Sequence, residues 1–264
     1  MSSCNNDGAA RAHLLQIQAL YTELAKNPRK DFGWGNGKAN ARALGYADEW
    51  LHRLPDPVWE SAAAVGNPFS VSPIEAGQIV VDLGCGAGAD ACVAALLVGD
   101  TGRVIGVDCT PAMIAGARSN AATTGFTQIE FHEADMTTLP LPDSCADVVI
   151  SNGAVNLSKD KERVLAEAYR VLRPGGRLQI ADMVKDTSAE EAECCAGNES
   201  WADCVSGTLD PDAFAALMVE AGFSNARLVA YTGYRTAANT IGALFLGTSA
   251  CNRRGRPLAT SITR

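Results

Sequence analysis

The sequence lacks long apolar runs, an excess of basic residues and a signal-like beginning. No run approaches the roughly 18 apolar residues that a membrane helix needs, which excludes a membrane span. The first residues do not have the basic and then apolar order of a secretory signal, so we expect a cytoplasmic chain. The formal net charge of −8 argues against nucleic acid as the main partner. We therefore expect neither nucleic acid nor a membrane as a partner.

The sequence also lacks the spacing of a metal site. Its nine cysteines form no paired CxxC knuckles, which argues against structural zinc, and the chain is too long for a typical disulfide scaffold. Its three histidines stand beside no cysteine or acid at ligand spacing. We therefore expect reduced thiols, no bound metal and no catalytic histidine.

The composition that is present is that of a globular protein. Apolar residues make up 47% of the 264 residues and charged residues 20%, which excludes disorder over the whole chain. The patterns divide the chain into a helical cap or lid over residues 1–75, a ligand-binding domain over 76–250 and a flexible tail over 251–264. The cap and the domain together are expected to form one catalytic unit.

Alternating strand and helix patterns fill the middle of the chain. Apolar runs predict strands at 79–83, 104–107, 129–132, 147–150 and 177–181, with helices at 89–97, 111–121 and 160–172. Continuous apolar strands in repeated βα units indicate a parallel sheet with helices on both faces. A later helix at 211–222 and strands at 226–231 and 241–246 indicate an antiparallel edge. The cap is expected to hold helices at 12–25, 47–53 and 56–64.

The strongest motif is a glycine-rich turn between the first strand and its helix. Gly84 and Gly86 let the backbone approach a ligand closely. Three acids, Asp82, Asp108 and Asp135, lie near the ends of successive strands, where the crevice of a parallel sheet forms. Such acids suit an amino group, a ribose and the amino group of an adenine.

The glycines alone leave two other interpretations open. One is a turn whose glycines serve packing only. The other is a dinucleotide fingerprint, which the spacing of Gly84, Gly86 and Ala89 also fits. Asp82 argues against a dinucleotide, because a carboxylate before the glycines would repel a pyrophosphate.

The chain resembles the class I S-adenosylmethionine-dependent methyltransferases in four segments: residues 82–88, 106–108, 134–136 and 172–176. The resemblance implies a Rossmann-like, mostly parallel sheet of seven strands and S-adenosylmethionine as cofactor. It implies that the glycines cradle the methionyl part, that Asp108 holds the ribose, and that Met113 and Met136 flank the adenine. The full set of implied cofactor residues is Asp82, Gly84, Cys85, Gly86, Asp108, Cys109, Met113, Asp135, Met136, Ser151 and Asn152.

Within that superfamily the chain looks like the arsenite methyltransferases and, less closely, like methyltransferases of quinone biosynthesis. The arsenite enzymes hold As(III) through three cysteine thiolates, which are soft ligands for a soft centre. At the matching positions this sequence has Val65, Gly153 and Cys204, so two of the three thiols are missing. We therefore expect methyl transfer to a small soft nucleophile such as a thiol, a sulfide or a metalloid.

Other residues and functions stay open. Asn156 is a candidate for orienting the acceptor, and Trp34 is a candidate for boxing it, although loop capping or core packing explains each equally well. Arsenite itself, and a quinone or phenol, are alternative acceptors. A non-enzyme alternative is a metalloid or redox binding protein that uses Cys194, Cys195 and Cys204, which could equally be buried filler. The sequence gives no oligomeric state.

Overall fold

A computed structural model describes residues 3–186 and 207–250 of the chain. Four helices precede the sheet: α1 (Ser3–Lys26), α2 (Gly37–Ala43), α3 (Asp48–Arg53) and α4 (Asp56–Glu60). The next elements are β1 (Ile79–Leu83), α5 (Ala89–Val98), β2 (Arg103–Asp108), α6 (Pro111–Thr124), β3 (Ile129–Glu133) and β4 (Ala146–Asn152). The last are α7 (Lys161–Val171), β5 (Leu172–Lys185), α8 (Pro211–Glu220), β6 (Ser224–Tyr231) and β7 (Thr240–Thr248). Short 3₁₀ turns lie at Pro68–Ser70 and Val155–Leu157.

The strands form one seven-stranded sheet in the order β3-β2-β1-β4-β5-β7-β6. The first five strands are parallel, and β7 is antiparallel to both of its neighbours. This confirms the predicted Rossmann-like sheet with an antiparallel edge. The chain order reverses between β1 and β4, which is where ligands bind in open α/β sheets.

Two apolar layers cover the two faces of the sheet. Successive strand residues point to opposite faces, so Val80 packs against α5 and α6 whereas Val81 packs against α7 and α8. The side chains of α3 and α4 join the layer that contains Val80. None of the helices in the described residues has the length and apolar character to cross a membrane.

The structure corrects the predicted beginning of the fifth strand. We predicted a helix to residue 172 and a strand from 177, but β5 begins at Leu172, directly after α7. Its pairing with β4 skips several residues, from Leu172 beside Ala146 to Arg177 beside Val148. Gly175 has a positive φ of 81° within this irregularity. The strand stays continuous there because the Gly175 N–H donates to the Ser249 carbonyl at 3.2 Å and the Gly176 carbonyl accepts from the Ser249 N–H at 2.8 Å, just after β7.

Two helices of the cap differ from the predicted bounds. Helix α1 starts at Ser3 rather than at residue 12, because the apolar spacing that predicted the helix begins only at Leu14. Helix α4 ends at Glu60 rather than at 64, because the Ala62 N–H closes a turn on the Trp59 carbonyl and the Ala62 carbonyl accepts from the Gly37 N–H. The division into cap, domain and tail stays a prediction.

Candidate active site

A cavity of about 350 Å³ opens where β1, β2 and β4 end, with α1 along one side. Its sheet side is acidic and its α1 side is apolar. The polar lining comes from the strand ends, the following loops and the start of α5, and consists of Asp82, Asp90, Asp108, Asp135, Asn152 and Asp160. The apolar wall includes Leu14, Ile17, Tyr21, Leu24, Ala41, Trp59, Ala62, Ala63, Ala64 and Leu157.

The glycine turn is tied to the end of β2. The N–H groups of Gly84 and Cys85 donate to the Val107 carbonyl at 2.8 and 3.0 Å. The Gly86 N–H donates to one oxygen of Asp108 at 3.0 Å, and the Thr110 N–H donates to the other at 2.8 Å. Asp108 therefore fixes the shape of the turn while its carboxylate lines the cavity.

Glycine is required at position 84 for two reasons: the backbone has a positive φ, and Ala154 leaves no room for a Cβ. Its φ is +70°, and a Cβ at this position would overlap the Cβ of Ala154. The same Cβ would lie 3.7 Å from the Cε of Met136. The backbone of the turn therefore stays bare toward the cavity, as the sequence predicted for a ligand cradle.

Asp82 is the least satisfied acid of the cavity. It is 1% exposed, and its Oδ2 has no hydrogen-bond partner in the structure. Burial, together with the nearby charges of Asp90 and Asp108, holds the pKa of Asp82 well above its usual range. Burial also raises the pKa of Asp108, although the N–H groups of Thr110 and Gly86 oppose that rise.

A buried network that the sequence did not reveal joins the cap to the sheet. The Tyr46 hydroxyl donates to Asp90 at 2.6 Å, and the Asn152 amide donates to the other Asp90 oxygen at 2.9 Å. Asn152 also donates to the Gly66 carbonyl at 2.9 Å and accepts from the Val65 N–H at 3.0 Å. Burial, followed by the Asp90 charge, raises the pKa of Tyr46 well above its usual range, so the hydroxyl stays neutral.

Tyr46 and Asp90 could not be found by motif, because tertiary packing alone brings them to Asn152. Tyr46 lies in the cap, and Asp90 lies one residue inside α5. His13 is a further residue that the sequence analysis passed over. It is buried in the cavity wall, where its Nε2 donates to the Leu157 carbonyl at 2.7 Å.

The side expected to hold the adenine contains the predicted methionines. Met113 is buried and packs with Leu24 and Ala87, and Met136 is half-buried at the cavity. Asp135 is nearby and accepts from the N–H and the hydroxyl of Thr137, both at 2.8 Å. Cys109, in the loop after β2, also lines the cavity.

The two cysteines of the described cavity lining are neutral thiols. Burial raises the pKa of Cys85 well above its usual range, and the charges of Asp82 and Asp108 raise it further. Burial and Asp108 raise the pKa of Cys109 to about 12. Only thiolates bind soft metals or attack carbon efficiently, so neither side chain is prepared for that chemistry.

The predicted residues Ser151, Asn156 and Trp34 do not line the cavity. Ser151 is fully buried and its hydroxyl donates to the Leu83 carbonyl at 2.8 Å. Asn156 is fully buried and its amide donates to Asp182 at 2.9 Å. Burial raises the pKa of Asp182 to about 6. Trp34 stacks on Phe32 with ring centroids 5.4 Å apart.

Val65 and Gly153 lie side by side. A Cβ at Gly153 would stand 3.4 Å from Cγ1 of Val65. Gly153 lines the cavity, and Val65 lies behind it in an apolar cluster with Ile17 and Leu157. The predicted substrate residue Cys204 lies outside the described residues, as do Cys194 and Cys195.

Comparison with known proteins decides the family. Residues 74–222, more than half of the chain, match the family described as "Methyltransferase domain". The chain belongs to this family. An arsenite methyltransferase from Halobacterium salinarum is 44% identical over 185 residues, which are 70% of this chain and 47% of that relative. A quinone-biosynthesis C-methyltransferase from an Enterobacter strain is 38% identical over 116 residues, which are 43% of this chain and 46% of that relative.

A solved structure agrees with the sequence relatives of this methyltransferase. The arsenic(III) S-adenosylmethionine methyltransferase from Chlamydomonas reinhardtii superposes with a TM-score of 0.59 at 29% identity, over 82% of this chain and 74% of that one. The predicted resemblance to class I S-adenosylmethionine-dependent methyltransferases near the arsenite enzymes is thereby confirmed. S-adenosylmethionine is confirmed as the cofactor of that family. The chain spans about half the length of the curated relatives named above.

The cavity of this methyltransferase fits S-adenosylmethionine. The unpartnered Asp82 oxygen suits an ammonium group, and the bare backbone at Gly84 leaves room that a Cβ would fill. The acidic lining suits a ligand that carries a positive charge at sulfur. Asp82, Gly86 and Asp108 would hold the cofactor, with Met113 and Met136 beside its base.

Proposed function

We propose that this methyltransferase transfers the methyl group of S-adenosylmethionine to the sulfur or metalloid atom of a small, soft acceptor. The observation that supports it best is the pairing of Gly153, which lines the cavity, with Val65 directly behind it. In the related arsenite enzymes both positions are expected to carry thiols. Here they present apolar surface, so they supply no sulfur ligand to an acceptor.

The apolar wall supports an acceptor with little charge. Side chains of α1, together with Ala62, Ala63 and Ala64, cover the cavity opposite the acids. A phosphate or carboxylate acceptor would meet Asp82, Asp90 and Asp108 without a matching set of cations on the described lining, where Lys159 is the one lysine and no arginine occurs. A thiol, a sulfide or a trivalent metalloid is compatible with such surroundings.

The chain contributes positioning and exclusion of water. S-adenosylmethionine, when bound, supplies an electrophilic methyl group on a sulfonium. Side chains of α1 close one side of the cavity. Asp82 and Asp108 would hold the amino group and the ribose of the cofactor in place. The acceptor can then approach the methyl group from one direction only. Cys85 and Cys109 stay protonated, so they do not compete with the acceptor for the methyl group.

An acceptor screen tests the proposal. Sulfide, a small alkyl thiol, a selenol, arsenite and a phenol are each supplied with S-adenosylmethionine, and release of S-adenosylhomocysteine is measured. We expect turnover with one of the sulfur or selenium acceptors or with the metalloid. Turnover with the phenol alone would contradict the proposal and favour the quinone-type alternative. Binding of As(III) without turnover of any acceptor would favour the non-enzyme alternative.

Restoring the two missing thiols should raise the affinity for As(III). In a variant with Val65→Cys and Gly153→Cys, a sulfur at the cavity lining would have a second sulfur directly beside it, and we expect As(III) to bind about tenfold tighter or more than in the wild type. Gly153 has a φ of +68°, so its substitution costs about 1–2 kcal/mol of stability. Binding is measured by calorimetry in a phosphine reductant, because thiol reductants would compete.

A matched substitution controls for the added sulfur. Val71→Cys places a single thiol in the same apolar cluster, at a residue that is not among the nearest neighbours of Gly153. As(III) affinity should not change in that variant. Equal affinity of the double variant and the wild type would show that positions 65 and 153 are not ligand positions here.

A further inference from the structure

A second residue of the cavity lining, besides Asp82, carries a buried polar atom without a partner. Four buried side-chain polar atoms of the described residues have no hydrogen-bond partner: Trp34 Nε1, Trp59 Nε1, Asp82 Oδ2 and Asn156 Oδ1. Only Trp59 and Asp82 among them belong to residues that line the cavity, and each of these residues is 1% exposed. One is a hydrogen-bond donor and the other is an acceptor.

Such a pair indicates the kind of ligand it serves. A buried donor or acceptor without a partner destabilises the folded protein, and a ligand that supplies the partner recovers that loss on binding. A group that pairs with both atoms needs an acceptor for the indole N–H and a donor for the Asp82 carboxylate. The carboxylate and the ammonium of an α-amino acid have these two properties.

A neutral donor suits this cavity better than a charged one. An arginine or a lysine beside Asp82, Asp90 and Asp108 would form ion pairs with them and leave the ligand unbound. The N–H of Trp59 carries no charge, so it keeps its hydrogen for a ligand carboxylate. It therefore permits an anionic group to bind inside an acidic cavity.

The Trp59 ring is held in a defined orientation. Its centroid lies 5.8 Å from that of Tyr46 with the planes at 89°, an edge-to-face arrangement. Tyr46 is itself fixed by hydrogen bonds to Asp90 and Asn152. The Trp59 backbone is fixed as well, since its carbonyl accepts from the Ala62 N–H at 2.9 Å.

We propose that the indole N–H of Trp59 binds the carboxylate of the methionyl group of S-adenosylmethionine, while Asp82 binds the ammonium of the same group. The choice of the cofactor over the acceptor rests on the proposed function, because sulfur is a weak hydrogen-bond acceptor and a soft acceptor would leave the N–H unpaired. Nothing in the sequence motifs pointed to Trp59.

Calorimetry with two ligands tests this assignment. S-adenosylmethionine and its decarboxylated analogue, which keeps the amine and lacks the carboxylate, are titrated into the wild type and into Trp59→Phe. We expect the substitution to weaken S-adenosylmethionine binding about tenfold and to leave binding of the analogue unchanged. Without ligand, Trp59→Phe should lower the melting temperature by no more than the loss of ring packing explains, because the substitution also removes an unpartnered donor.

Trp50→Phe is the matched control, since Trp50 packs on Phe69 with centroids 5.6 Å apart and does not line the cavity. If Trp59→Phe does not fold, a benzothienyl-alanine at position 59 removes the N–H without changing the ring shape. Equal weakening of both ligands, or no weakening of S-adenosylmethionine, would overturn the assignment. No acceptor is present in this experiment, so failure of the acceptor screen would not affect its outcome.

Discussion

At the scale of residues, the acids of the cavity differ in how their oxygens are satisfied. Both oxygens of Asp108 accept backbone N–H groups, and both oxygens of Asp90 accept from Tyr46 and Asn152. Among these three buried acids, Asp82 alone keeps an unpartnered oxygen. Its role is therefore visible from the structure without a bound ligand, because buried polar groups normally have partners.

Asp82 should make cofactor binding depend on pH. Its pKa in the free protein is raised by burial, then by Asp90 and Asp108. A bound ammonium favours the carboxylate, so binding displaces a proton, and affinity should rise with pH by up to about tenfold per pH unit until the raised pKa is passed. The dissociation constant is measured by calorimetry from about pH 5 to 7.5, below the loss of the cofactor's own amino proton.

The stability of the ligand-free protein should change with pH in the opposite direction. Its folded state holds a proton that the unfolded chain has already released, so its stability falls as the pH rises through the raised pKa of Asp82. In Asp82→Asn both pH dependences should be reduced. Affinity that falls with rising pH, or an unchanged dependence in the variant, would contradict the role given to Asp82.

At the scale of elements, the cavity is built from a turn and a helix that meet over the sheet. The glycine turn supplies bare backbone on the sheet side. Helix α1 supplies the opposite wall, and side chains of α1 bond to backbone carbonyls on both sides of the cavity: His13 to Leu157 and Gln18 to Cys109, each at 2.7 Å. Loss of a link should therefore affect retention of the ligand more than the fold.

Gln18→Ala should speed release of S-adenosylmethionine. The variant removes the bond from α1 to the loop after β2, worth about 1 kcal/mol, so the dissociation rate should rise roughly fivefold. Stopped-flow displacement of bound cofactor measures it. Gln16→Ala, on the exposed face of the same helix, is the control and should leave the rate unchanged. Equal rates in both variants would show that the link does not retain the ligand.

Gly84→Ala should reduce both stability and cofactor affinity. The new Cβ would overlap Ala154, in addition to the cost of about 1–2 kcal/mol for a side chain at positive φ. Gly125→Ala measures that second cost alone, because Gly125 has a φ of +75° with open space around it. We expect Gly84→Ala to lower the melting temperature more than Gly125→Ala does. Adding Ala154→Gly should recover the excess, and absence of recovery would contradict the proposed overlap.

At the scale of the whole molecule, the sequence predicted the sheet well because its strands are continuous and apolar. The positions of β1 to β4 and of the glycine turn follow from local pattern, and the convergence of Asp82 and Asp108 follows from the geometry of parallel strands. The start of β5 could not be predicted, since Gly175 is a loop residue by local rules and becomes part of a strand only through Ser249.

The parts of the site that the sequence missed come from the cap. His13, Tyr46 and Trp59 carry no motif, and only the packing of α1 to α4 on the sheet brings them to the cavity. Ser151 is the opposite case, a residue that was predicted to lie in the site and does not. The resemblance implied that Ser151 lines the cofactor site, but its side chain is fully buried and its hydroxyl donates to the Leu83 carbonyl. Residues that flank a motif are therefore less predictable than the motif itself.

Titration of the chain with S-adenosylmethionine tests the central claim, which is that the cavity binds this cofactor through its acids and glycine turn. We predict one cofactor per chain in the wild type and at least about tenfold weaker binding in Asp108→Ala, which loses the carboxylate that fixes Gly86 and faces the ligand. Asp100→Ala, at an exposed residue outside the cavity, should bind like the wild type, and NADH should give no heat. No binding of S-adenosylmethionine by the wild type, or equal affinity in Asp108→Ala, would contradict the account.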